Sequence, residues 1–166
     1  MHQLKEIKVD KYPPIWLKYH AQRKFLSFVF DVSKSNDLYP CFDVSKPKLS
    51  TICDYILFYE KRKKRNQNQA TLFVFLCNLK SGRRSGSSEQ VKASKLLAEY
   101  IVNTAIRLLK YKNFSIEYRA ITFSTDKTMK FKTNLRNNRY ELLGESKLLA
   151  MNLKAGGTYV LDLLAQ

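Results

Sequence analysis

The chain has 166 residues, 45% hydrophobic and 13% aromatic, with only 5 Gly and 4 Pro. That length suits one domain with its own core, and the composition excludes an aromatic-poor disordered chain or a Gly/Pro-rich linker. Lys and Arg number 30 against 14 Asp and Glu, a formal net charge of +16; this implies an anionic partner, nucleic acid first, with an anionic-lipid surface or a solvated basic surface as the other readings.

Residues 1–24 are polar and basic. Within them "PPIWLKYHAQRK" predicts a short helix opening at Pro13 and Pro14, because Pro suits the first helical turn. Residues 24–32, "KFLSFVFDV", read as a strand. Residues 33–48 are rich in turn formers, with a short strand at 41–44. Residues 51–59, "TICDYILFY", read as a strand interrupted by one acid, Asp54. Residues 60–69, "EKRKKRNQNQ", read as a basic loop, and 72–79 as a continuously apolar strand covered on both faces.

The segment "SGRRSGSS" breaks that strand, and a helix follows. Ser87 and Gln90 have capping-box spacing. From Val91, apolar residues recur at Ala93, Leu97, Ile101, Thr104, Ala105 and Leu108, which is helical spacing, and the helix is expected to stop within 110–113. Residues 114–124, "FSIEYRAITFS", alternate as a strand, and 125–140 form a basic segment without a clear period. Residues 146–153 and 158–164 read as a hairpin around "KAGG". Helix, strands, helix, strand and hairpin make an α/β (α+β) chain with a central mixed sheet flanked by helices.

The three cysteines, Cys41, Cys53 and Cys77, sit in apolar surroundings without CxxC spacing. They predict reduced, buried thiols and a cytoplasmic protein rather than a disulfide framework. His2 and His20 are the only histidines, so no structural zinc site is expected. The N-terminus lacks an apolar signal core and no apolar run approaches 18 residues, so neither a signal peptide nor a membrane span is expected.

Side chains two apart on a strand share a face, so Asn78 and Lys80 point the same way, roughly 7 Å apart along the chain. A hairpin centred near Asn66 sets Asp54 opposite Asn78. One carboxylate, one amide and one amine then share a patch. Mg²⁺ binds through one or two carboxylates plus waters, acidifies a bound water and stabilises charge on phosphate. A nearby lysine holds the attacking water or neutralises the transition state. Each residue has a plainer reading as well: Asp54 as an acid bonded to backbone, Asn78 as a strand-end residue bonded to a loop, and Lys80 as the start of a basic loop.

The stretches "CDYILF" and "FVFLCNLKSG" and the helix "SSEQVKASKLLAEYIVNTAIRLL" resemble the PD-(D/E)XK nuclease superfamily of restriction-endonuclease-like folds. There an aspartate opens one strand of a hairpin, an acid-x-lysine triplet closes the next, and an amphipathic helix follows. The resemblance covers about residues 50–125. It implies a single domain over 1–166 with that core, a peripheral N-terminal segment and the C-terminal hairpin. It implies a Mg²⁺- or Mn²⁺-dependent endonuclease, with Asp54, Asn78 and the Leu79 carbonyl on the metal, Lys80 as catalytic lysine and Gln90 in support. The departure is Asn78, where most members carry Glu or Asp; Asn keeps one oxygen able to ligate and loses a full charge.

Three basic clusters are expected to contact DNA, the favoured substrate, or RNA: Lys61, Arg62, Lys63, Lys64 and Arg65; Arg83 and Arg84; and Lys127, Lys130, Lys132, Arg136 and Arg139. Cutting both strands needs two sites, which implies a homodimer or larger assembly. The other readings are an inactive module on the same fold that binds nucleic acid or a protein partner, and an unrelated RNA-binding basic protein.

Overall fold

The computed structural model describes residues 1–5, 12–30, 52–63, 66–81, 87–110, 114–126, 140–143 and 148–166. Nine strands and two helices lie among them: β1 (His2–Leu4), β2 (Ile15–Lys18), β3 (Phe25–Val29), β4 (Tyr55–Lys63), β5 (Asn66–Lys80), α1 (Ser87–Leu109), β6 (Phe114–Ser124), β7 (Glu141–Leu143), β8 (Leu148–Lys154), β9 (Thr158–Val160) and α2 (Leu161–Leu164). The chain is α+β, built on a six-stranded mixed sheet of order β3-β4-β5-β6-β8-β7.

β3, β4 and β5 form an antiparallel meander. β5, α1 and β6 form a crossover unit, with β6 parallel to β5 over Ala70–Lys80, and β8 continues the parallel run. A parallel neighbour needs a long connection, and α1 supplies it. β5 is thus central and buried on both faces, which explains its unbroken apolar sequence.

Side-chain alternation divides the core. Tyr55, Leu57, Phe75, Cys77, Leu79, Ile121 and Phe123 face one way, while Ile56, Phe58, Val74, Leu76 and Ala120 face the other. Val91, Ala98 and Val102 of α1 cover the second face. The first face is covered by a separate three-stranded sheet, β1-β2-β9, through Leu4, Ile15 and Leu17, and by Leu161 and Leu164 of α2. Among the described residues the sheet is therefore sandwiched between a long helix and a small sheet that carries α2, not between two sets of helices.

Four local expectations need correction. "IWLK" is strand β2, not helix: Ile15 and Leu17 are sealed while Trp16 and Lys18 are exposed, a period of two. The basic stretch after residue 59 is strand as far as Lys63 and again from Asn66. Residues 148–154 and 158–160 do not pair as a hairpin. β8 joins β6 in the large sheet, whereas β9 runs parallel to β2 in the small one, and 161–164 is helical. Leu108 is 68% exposed; the α1 seam runs through Val91, Ser94, Ala98 and Val102, with Leu97 and Ile101 packed beside it. The helix ends at Leu109, with Lys110 in the left-handed region at φ 52°, and the strand expected at 41–44 lies outside the described residues.

Candidate functional site

β4 and β5 pair in the register that a hairpin centred near Asn66 requires, with Tyr55 opposite Cys77 and Ile56 opposite Leu76. One step further, Asp54 reaches the end of β5. Its Oδ2 accepts the Leu79 N–H at 2.5 Å, and its main-chain carbonyl accepts the Phe30 N–H at 3.0 Å. The carboxylate is held against the main chain of the Asn78–Leu79–Lys80 triplet.

The N-terminal turns of α1 fix the other side. Ser94 Oγ accepts the Cys53 N–H at 2.7 Å and donates to the Gln90 carbonyl at 2.8 Å. This clamps the residue before Asp54 to the helix. Lys80 Nζ donates to Gln90 Oε1 at 2.8 Å, so amide and amine meet across the strand–helix junction. The Gln90 side-chain oxygen thus serves Lys80. Thr125 N–H donates to the Lys80 carbonyl at 3.1 Å and Thr125 Oγ1 to the Ser81 carbonyl at 3.1 Å, tying β5 to the end of β6.

Asn78 lies between them and is fully buried, with no hydrogen-bond partner for either Oδ1 or Nδ2 among the described residues. It does not bond a loop there, the plainer reading of a strand-end asparagine. The Asp54 carboxylate is backbone-bonded, as its plainer reading has it, and stands at the triplet.

The donor set suits a hard cation. Asp54, the orphaned Asn78 Oδ1 and the Leu79 carbonyl are oxygen ligands of the kind Mg²⁺ and Mn²⁺ take, with one carboxylate at the lower end of what Mg²⁺ uses. No group of three or more His, Cys, Asp or Glu placed to hold a metal occurs among the described residues. The two described thiols are free and buried, and burial pushes Cys53 up to about 12 and raises Cys77 well above its ordinary value. They are poor nucleophiles and poor ligands at neutral pH.

Of the basic candidates, Lys61 is engaged within the fold. Its Nζ donates to the Ala165 carbonyl at 2.5 Å and the Asp162 carbonyl at 3.3 Å. Arg62 pairs with Glu60. Lys63 ends β4. Lys64, Arg65, Arg83, Arg84, Lys127, Lys130, Lys132, Arg136 and Arg139 lie outside the described residues. No helix among the described residues is long and apolar enough to cross a membrane.

Sequence reading missed Ser94, which positions Asp54 through Cys53. It also missed Thr122, Ser124, Asn152 and Lys154, which pair in register with the triplet across the sheet. A signal for the last four was present: "LCNLK", "AITFS" and "AMNLK" close three strands with the same alternation of apolar and polar residues.

Comparison with protein-family models, with curated proteins and with solved structures finds no match to this chain.

Proposed function

We propose that the chain is a metal-dependent endonuclease of the PD-(D/E)XK, restriction-endonuclease-like type, hydrolysing phosphodiester bonds in nucleic acid, with DNA favoured. One observation carries this reading: Asp54, bonded to the Leu79 N–H, and Lys80, bonded to Gln90, meet at the end of one hairpin with the unpartnered Asn78 amide between them. The hairpin, the triplet closing its second strand and the helix behind it follow the order that the sequence resemblance implies. The net charge of +16 suits a polyanionic substrate.

Asp54, Asn78 Oδ1 and the Leu79 carbonyl would hold Mg²⁺ or Mn²⁺. Such an ion, when bound, supplies an acidified water and charge stabilisation on the phosphate. The protein's own contribution is positional. The Leu79 N–H and the Ser94 clamp orient Asp54. Gln90 takes one Lys80 hydrogen, which leaves two that would hold an attacking water or a non-bridging phosphate oxygen.

A second reading has its own support. Asn78 is neutral where a second carboxylate would strengthen metal binding, which favours a nucleic-acid-binding module without catalysis. A cleavage assay separates the two, using plasmid, linear duplex, single-stranded DNA and RNA with Mg²⁺, Mn²⁺ or EDTA. Metal-dependent cutting that is lost in Asp54→Ala and Lys80→Ala supports the nuclease. Salt-sensitive binding with no cutting of any substrate supports the binding module.

A further inference from the structure

The α1 face of the large sheet changes character at one register position on three adjacent parallel strands. Leu76, Ala120 and Ala150 pair across β5, β6 and β8 and are apolar. The next row on that face is Asn78, Thr122 and Asn152, and the last is Lys80, Ser124 and Lys154. The opposite face stays apolar to the end, through Cys77 and Leu79, Ile121 and Phe123, Met151 and Leu153. Ordinary fraying at strand ends makes both faces polar, so polarity confined to one face needs another cause.

Burial sharpens the point. Asn78 and Ser124 are fully buried and Thr122 is 9% exposed, whereas Asn152 is half-buried and Lys154 exposed. Ser124 Oγ already accepts the Asp126 N–H at 3.1 Å, which leaves its own hydrogen to donate. Amide and hydroxyl side chains in sealed positions cost stability unless they are hydrogen-bonded. Open parallel sheets bind ligands at the carboxyl ends of their strands, where these rows lie.

We propose that Asn152 and Lys154, flanked in register by the buried Thr122 and Ser124, form a second phosphate subsite, which holds the same nucleic-acid strand beyond the phosphate at Asp54 and Lys80. This rests on the nuclease reading of the Asp54 site. The rows offer donors that proteins commonly turn toward phosphate and sugar: amide, hydroxyl and amine. Lys80 and Lys154 stand two strands apart, about 10 Å at about 5 Å per strand. A single strand passing the ends of β5 and β8 would therefore be gripped at Lys80 and at Lys154. Contacts of this type carry no base code, so the subsite adds affinity and direction without sequence preference.

The test is anisotropy of a labelled oligonucleotide in EDTA across a salt series, with thermal melts to confirm folding. Lys92, exposed on α1 and off these rows, supplies the charge control. For Lys154→Ala, affinity should fall several-fold below Lys92→Ala, and the log–log salt slope should shrink by about 0.7–0.9, one phosphate contact. For Asn152→Ala, affinity should fall about threefold or more with the slope unchanged.

If Lys154→Ala and Asn152→Ala bind like Lys92→Ala, the subsite is overturned, and metal-dependent cleavage by the wild type would leave the nuclease reading standing. If both variants bind weakly while the wild type never cuts, the subsite is supported and catalysis alone is rejected. If the wild type binds no strand, both fall.

Discussion

Asn78 decides what the hairpin end can do. A buried polar group without a partner costs about 1–3 kcal/mol, and this amide is sealed with both atoms unpartnered among the described residues. Valine is close in volume and has no polar atom. Asn78→Val should therefore raise unfolding free energy by about 1 kcal/mol in urea titration and, on the nuclease reading, abolish metal-dependent cleavage. A destabilised Asn78→Val would show that the amide serves the fold rather than a ligand. Asn78→Asp adds a second carboxylate beside Asp54, so Mn²⁺ should bind more tightly by calorimetry while the apo protein loses stability through like-charge repulsion.

The thiols give a pH prediction at the same scale. Burial raises Cys53 from 9.0 to about 12 and raises Cys77 as well. The folded protein keeps these protons where the unfolded chain releases them. Their contribution to stability is thus complete below pH 9.0 and lost as pH climbs toward about 12. Denaturation midpoints should fall over that window, and the fall should lessen in Cys53→Ala relative to the wild type. Neither thiol should react with a disulfide reagent at pH 8 until the chain unfolds.

At the scale of elements, α1 is attached to the site by polar contacts as well as by packing. Ser94 satisfies the buried Cys53 N–H. Ser94→Ala leaves that donor unpaired and should cost about 1–3 kcal/mol in chemical denaturation. It also frees the segment leading to Asp54, so metal affinity should drop even in conditions where the variant is folded.

The same element scale explains what the sequence could convey. The runs 55–59 and 73–79 are apolar at every position but Asn78, so no alternation fixed their register; centring the hairpin near Asn66 supplied it, and Tyr55 does stand opposite Cys77. The length of β4 and β5 was not legible, because their outer halves are basic and polar and are held by pairing with each other and with β6. "IWLK" offers only two inward residues, too few to outweigh Pro13 and Pro14 as helix openers. "KAGG" looked like a hairpin turn, yet the strands on either side answer to partners far away in the chain. The Ala155 N–H donates to Ser124 O, and the Trp16 N–H donates to Gly157 O. Such non-local partners leave no local period. The Lys80–Gln90 contact was only half legible: the spacing placed Gln90 in the first turn, but its direction depends on how α1 lies over β5.

Over the whole molecule, some of the cations behind the +16 charge hold the fold, and on the proposed reading others would meet nucleic acid. Lys61 and Arg119 belong to the first group. Lys61 binds two carbonyls of the 161–166 segment, Tyr140 Oη donates to the Leu164 carbonyl at 2.6 Å, and Arg119 reaches the Gln166 carbonyl at 3.5 Å. Arg119 also stacks over Phe73 and Tyr140, with its guanidinium carbon 5.5 and 5.2 Å from the ring centres. These donors latch the C-terminal segment onto the face of the sheet opposite α1, away from Asp54. Removing a charged donor from such a contact costs about 1.5–3 kcal/mol. Lys61→Met, which keeps the apolar stem over Phe73, should lower unfolding free energy by about that much and leave the salt slope of nucleic-acid binding unchanged. Lys154→Ala should do the reverse, altering the slope with little effect on stability. Equal slopes and equal stabilities in the two variants would show that position in the fold does not separate the two groups of cations, and that the basic charge acts only as a diffuse field.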